Sequence, residues 1–99
     1  MRIVKELAKR IKEELHDAEW YAKAAIEHKV DQPTVAATYH RLASEELGHA
    51  GMLHDDVVKM IKAYDKPVPP VMAELWAWQH EEIVDEEAEV RWLIDMYMR

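Results

Sequence analysis

The sequence contains no cysteine, which excludes disulfides, thiolate metal sites and cysteine nucleophiles. Only two glycines and four prolines interrupt its 99 residues, so few positions force regular structure to stop. No long apolar run is present, and we expect neither a signal peptide nor a membrane span but a cytoplasmic location. Basic residues are outnumbered by acidic ones, 13 to 20, and the net charge of −7 disfavours nucleic acid as a partner and favours cations.

Apolar residues make up 49% of the chain, enough for the core of one domain covering residues 1–99. The prolines lie at Pro33 and between Pro67 and Pro70, and nothing between them has the alternation of a strand. The sequence therefore predicts an all-α fold with helices at about 2–29, 33–64 and 71–97. Because the connections are short, the first two helices should form an antiparallel hairpin, with Asp31 capping the second.

The second helix has polar residues within its apolar stripe. At alternating spacings of four and three, the stripe consists of Val35, Tyr39, Leu42, Glu46, His49, Leu53, Asp56 and Met60. Glu46 and His49 form a Glu-x-x-His pair on one helical face, as in the carboxylate-bridged metal sites of helix bundles.

The first helix has a matching stripe, which consists of Val4, Leu7, Ile11, Glu14, Ala18, Tyr21 and Ala25. In an antiparallel hairpin Glu14 lies at a height similar to that of Glu46 and His49, so these residues are the predicted metal ligands. A buried hydrogen-bonded polar cluster or a solvated face are the alternatives. Glu13 and His16 have the same spacing but lie off the stripe, where solvent exposure is expected.

The predicted ligand set is only half of a di-metal site, which in helix bundles takes four acidic residues and two histidines from four helices. Two chains related by a twofold axis would supply the full set around one point. The sequence thus predicts that a homodimer completes both the metal site and a four-helix bundle.

Two segments, Glu13–Tyr21 and Ser44–Ala50, resemble the encapsulated ferritins, a ferritin-like group that divides the four-helix bundle between two chains. The resemblance covers roughly residues 10–60. It implies a di-iron ferroxidase centre with two irons per dimer, Glu14 and His49 as terminal ligands and Glu46 as the bridging ligand. Tyr21 and Trp20 would lie next to the ligands and contact them without binding metal.

The resemblance also implies a setting for this chemistry. The family forms a ring of five dimers and oxidises ferrous iron with oxygen, for storage, inside an encapsulin nanocompartment. This chain would belong there as cargo or as a domain fused to the shell protein. Glu13 matches a cluster that guides metal inward, but His16 stands where relatives often carry an acidic residue.

The function expected from the sequence is therefore that of a ferroxidase. The alternatives are a non-enzymatic oligomerisation module with a buried polar seam, or a di-metal protein that uses manganese or zinc.

The third helix has its own stripe, which consists of Trp76, His80, Ile83, Glu87, Val90, Ile94 and Tyr97. Its many acidic residues indicate a solvated face or subunit contact, with a transit-ion site at Glu82, Glu86 or His80 as the alternative.

Overall fold

The structure is a computed structural model that describes residues 2–99, and these residues fold into three long helices without any strand. Helix α1 spans Arg2–Glu27, α2 spans Pro33–Ala63 and α3 spans Pro70–Tyr97. The predicted all-α class is confirmed. The predicted helix ends at 29 and 64 and the start at 71 become 27, 63 and 70, which is within the usual uncertainty of helix boundaries.

The three helices run side by side in an up-down-up arrangement. Contacts between Tyr21 and Tyr39 near the first turn show that α1 and α2 are antiparallel. Helix α3 runs parallel to α1, because Lys12 binds Glu82 and Lys29 binds the backbone carbonyl of Tyr97. The result is a rod with principal dimensions of 55 × 17 × 17 Å, long and narrow because every helix lies along the same axis.

The core lies along the line where the three helices meet. Its largest fully buried side chains are Ile11 and Leu15 of α1, Val57 of α2, and Ile83 and Val90 of α3. Alanines fill much of the remainder of α1 and α2, and their small side chains allow the two helices to approach closely. Among residues 2–99 no polar or charged residue is fully buried, so polar groups of the stripes lie at the edges of the core.

The predicted stripe of α2 is not buried in this core, although its member Leu53 packs against the edge of the core. Its members are half-buried or exposed. The buried residues of α2 are Ala36, Ala43, Ala50 and Val57, each of which directly follows a stripe residue in the sequence. The physical reason is the position of α3, which packs against His40 and His54 on another side of α2. The predicted stripe therefore forms part of an open face of the hairpin.

We define the open face by its half-buried or exposed stripe residues, which are Leu7, Glu14 and Tyr21 of α1 and Val35, Tyr39, Leu42, Glu46, His49, Leu53, Asp56 and Met60 of α2. The stripe of α1 is thus divided, because its other members, Val4, Ile11, Ala18 and Ala25, are buried in the core. The hairpin has one side against α3 and a second, partly apolar side without a neighbour among the described helices.

Part of the α3 stripe packs against the hairpin. Ile83 and Val90 are buried, and the polar member Glu87 is half-buried against α2. The ring of His40 stacks on Tyr97 at a centroid distance of 4.4 Å and joins α2 to the end of α3. This packing fixes α3 along the side of the hairpin opposite the open face.

Prolines define the helix starts, since α2 begins at Pro33 and α3 at Pro70. The prediction that Asp31 caps α2 is wrong, because its carboxylate lies 3.3 Å from His28 Nδ1 and Gln32, which precedes the helix, makes no side-chain capping bond. None of the helices described is long and apolar enough to cross a membrane.

Candidate metal centre

The three predicted ligands come together on the open face. Glu14 comes from the middle of α1, and Glu46 and His49 come from successive turns of α2. One ligand atom from each side chain lies within 4.8 Å of the others. The antiparallel hairpin produces this meeting without distortion, because both helices pass the same height at these residues.

The spacing of these atoms is suited to a cation. His49 Nδ1 lies 3.8 Å from Glu14 Oε2 and 3.9 Å from Glu46 Oε1, too far for direct hydrogen bonds. Two ligands that each lie about 2.1 Å from one ion are themselves about 3.0–3.5 Å apart. The two distances from His49 are slightly wider, and the three ligand atoms lie within 4.8 Å of one another, so the side chains would have to rotate to bind one ion together.

Burial differs among the three side chains. Glu14 and Glu46 are 17% and 21% exposed, whereas His49 is 56% exposed and reaches outward from the face. Two carboxylates that are largely withdrawn from water repel one another and favour a bound cation. Arg10 offsets this charge only weakly, since its Nη2 lies 3.7 Å from Glu14 Oε1.

An aromatic cluster lies on the same face, about two helical turns from the ligands. The ring of Trp20 meets Tyr21 and Tyr39 edge-on at centroid distances of 5.6 and 5.5 Å. Trp20 is 58% exposed and Tyr21 is half-buried. The predicted neighbours Trp20 and Tyr21 are therefore near the site along α1, but within residues 2–99 neither donates a hydrogen bond to a predicted ligand.

Two residues near the site were not recognised in the sequence. Tyr39 packs on Tyr21, and its position seven residues before Glu46 on the same stripe is the signal that could have identified it. Arg10 precedes Glu14 by four residues, the spacing at which helical side chains meet.

The second Glu-x-x-His pair does not join the site. Glu13 is exposed and its carboxylate binds Arg10 at 2.7 Å. His16 is exposed on the side of α1 that faces α3, where it borders a shallow cavity with Glu86. Glu13 borders the same cavity, so the structure places both residues of this pair outside the cluster of predicted ligands.

The acidic residues of α3 line a cleft against α1. Burial raises the pKa of Glu86, and the nearby charges of Glu19 and Glu89 raise it further, while His16 and Lys12 oppose the shift. Of the predicted transit-ion residues, Glu82 binds Lys12, whereas His80 lies against α2. Within residues 2–99 these three residues do not form a cluster of ligand atoms.

The donors at the candidate centre are two carboxylates and one imidazole. Oxygen donors suit ferric iron, imidazole accepts the ferrous state, and manganese or zinc would also be accommodated.

Comparison with known protein families, curated proteins and solved structures finds no match for the chain. The functional interpretation therefore depends on the geometry of the site and on the resemblance of its two motifs.

Proposed function

We propose that the protein is a ferroxidase that oxidises Fe(II) to Fe(III) with oxygen at a di-iron centre formed between two chains. The observation that carries this proposal is the meeting of Glu14, Glu46 and His49 on the open face of the hairpin. The two carboxylates are largely withdrawn from water on a partly apolar face, and a bound cation would offset their mutual repulsion.

The resemblance to the encapsulated ferritins assigns a role to each side chain. Glu14 and His49 would be terminal ligands, and Glu46 would be the bridging carboxylate. Two ferrous ions held there would together supply two electrons, which with two protons would reduce one dioxygen to hydrogen peroxide. The protein contributes largely buried carboxylates that balance the increased charge of the ferric product.

The open face supports a twofold dimer. Between and around the polar ligands it carries apolar side chains, among them the half-buried Leu42 and Leu53 and the exposed Val35 and Met60. A second copy on this face would cover them and would bring four carboxylates and two histidines together. The two hairpins would then constitute the four-helix bundle of a ferritin-like protein.

A ring of dimers requires another surface on each chain. The outer side of α3 exposes Val71, Leu75 and Trp78 near its start and Trp92 and Met96 near its end. These side chains would provide contacts between dimers in a decamer, with α3 between neighbours. The location in an encapsulin nanocompartment, as cargo or as a fused domain, is proposed from the motif resemblance alone.

A measurement of how fast ferrous iron is oxidised tests the proposal directly. Purified protein is loaded with Fe(II) without oxygen, air is admitted, and the ferric absorbance is followed against protein-free iron. We expect Glu46→Ala and His49→Ala to reduce the protein-dependent rate by about 100-fold or more, since each removes a ligand from both chains of the dimer. Glu13→Ala is the matched control, because it removes an adjacent carboxylate that is bound to Arg10 instead.

The alternatives predict different results in the same assay. If both variants oxidise iron at the parent rate while they remain assembled, the ferroxidase assignment to this site is wrong. Tight binding of manganese or zinc without iron oxidation would identify a di-metal protein of another kind. Assembly without binding of any metal would identify an oligomerisation module with a polar seam.

A further inference from the structure

A second group of potential metal ligands lies at the contact between α2 and α3, away from the open face. His54 of α2 and His80 of α3 have ring centroids 5.0 Å apart, with the rings inclined at 62°. Glu87 of α3 lies beside them, and its Oε1 is 2.8 Å from His54 Nδ1. The side chains of His54 and Glu87 are 14% and 16% exposed, so this pair is largely withdrawn from water.

The hydrogen bond to Glu87 determines which nitrogen of His54 is available. An ionised carboxylate can only accept, so Nδ1 must donate, and in the neutral ring Nε2 then carries a lone pair. This Nε2 atom is buried and has no hydrogen-bond partner among residues 2–99. Buried polar atoms usually have one, and a carboxylate bound to the far nitrogen is the usual means of orienting a metal-binding histidine.

The position of His80 supports the same interpretation. Two imidazoles that bind one tetrahedral ion at about 2.0–2.1 Å have ring centroids roughly 5 Å apart. The observed distance of 5.0 Å between His54 and His80 matches this value. Trp76, one turn earlier on α3, packs on His80 at 5.6 Å and restricts where that ring can lie.

We propose that His54 and His80 bind one divalent transition-metal cation of the type that prefers imidazole, such as Zn²⁺, and that Glu87 orients His54 for this purpose. Water completes the coordination. The ion joins α2 to α3 and so fixes α3 against the hairpin. The proposal uses none of the ligands on the open face and does not depend on the ferroxidase activity.

Zinc titration calorimetry tests this second site. The full chain carrying Glu46→Ala and His49→Ala removes the centre on the open face, and in this background we expect one Zn²⁺ to bind per chain. Adding His54→Gln or His80→Gln should abolish that binding, and Glu87→Gln should weaken it by about 10–100-fold. His40→Gln is the control, because His40 also contacts α3 from α2 but does so at the backbone carbonyl of Ile94.

Thermal melting in the same background gives a second readout. Zn²⁺ should raise the melting temperature of the background protein and of His40→Gln, but not of His80→Gln, because an ion that binds only the folded state stabilises it. Helix content without zinc shows that each variant is folded. The proposal is overturned if the folded background protein binds no Zn²⁺, or if its binding is unchanged by both His54→Gln and His80→Gln.

Discussion

Glu13 and Glu14 are neighbours in the sequence but lie in different surroundings. The Glu14 carboxylate is 17% exposed and lies 3.8 Å from His49, whereas Glu13 is exposed and paired with Arg10. The difference arises from helix geometry, because one residue corresponds to a rotation of about 100° around the axis. A position on the stripe, and not the Glu-x-x-His spacing alone, therefore distinguishes the candidate ligand.

Replacement of Glu46 should separate activity from stability. Without metal, the carboxylates of Glu14 and Glu46 repel one another, so Glu46→Gln removes repulsion while it preserves side-chain size. We expect the free energy of unfolding of the metal-free protein to stay the same or to rise by up to about 0.5 kcal/mol, although iron oxidation is lost. Urea denaturation in the presence of a chelator measures the change, and a loss above about 2 kcal/mol would show that the carboxylate is a structural requirement.

Glu86 provides a prediction about pH. Because burial and neighbouring acids raise the pKa of Glu86 in the folded state, the folded chain retains its proton more strongly than the unfolded chain. This contribution to stability is present below the ordinary glutamate pKa and is lost as pH rises through the raised value. Glu86→Gln should therefore be more stable than the parent at neutral pH, and the advantage should vanish at about pH 4 and below.

Urea denaturation of the parent and Glu86→Gln at a series of pH values between acid and neutral checks this sign. Glu81→Gln, an exposed substitution on the same helix, is the control for the loss of one negative charge. A Glu86→Gln protein that is less stable than the parent at neutral pH would contradict the assigned environment.

At the scale of helices, proline position and apolar spacing were sufficient to predict three helices and their approximate bounds. The same spacing groups the α2 stripe on one face, which stays outside the core of the single chain because α3 packs against a different side of α2. That side carries the large apolar residues Leu47, Val57 and Ile61, but Ala43, Ala50, His40 and His54 alternate with them, and small or polar residues weaken the apolar signal. The choice between the two sides of α2 depends on where a third helix packs, which periodicity within one helix cannot determine.

The candidate centre was predictable because Glu14, Glu46 and His49 interrupt apolar stripes, and an interruption of this kind is visible in the sequence. The His54–Glu87 contact was not predictable in the same way. Its two residues are on different helices, and they meet only through the packing of α2 against α3. Contacts of this type depend on the rotation of both helices about their axes.

The docking of α3 can be tested at its centre. Ile83 is fully buried against the hairpin, whereas the adjacent Val84 is 44% exposed. Ile83→Ala should lower the free energy of unfolding by about 2–5 kcal/mol, because it leaves a cavity in the core. Val84→Ala, a matched β-branched control one residue away, should change it by no more than about 0.5 kcal/mol. Urea denaturation followed by circular dichroism compares the two, and equal effects would contradict the observed packing of α3.

At the scale of the molecule, a rod 55 Å long and 17 Å wide has a large surface relative to its volume. Its open face combines apolar side chains with two carboxylates, and the chain as a whole carries a net charge of −7. Dimerisation would bury the apolar part, but it would also bring four carboxylates together, which is unfavourable without cations. Metal binding and dimerisation should therefore be coupled.

Native mass spectrometry of the protein after anaerobic addition of Fe(II) tests this coupling most directly, because it counts chains and metal ions in one particle. We predict dimers, or multiples of dimers. Each dimer should carry two more irons than a dimer of the protein in which Glu46→Ala and His49→Ala are combined. Chains that remain monomeric while each binds two irons tightly, or dimers whose iron content is the same with and without these substitutions, would contradict a shared centre built from Glu14, Glu46 and His49.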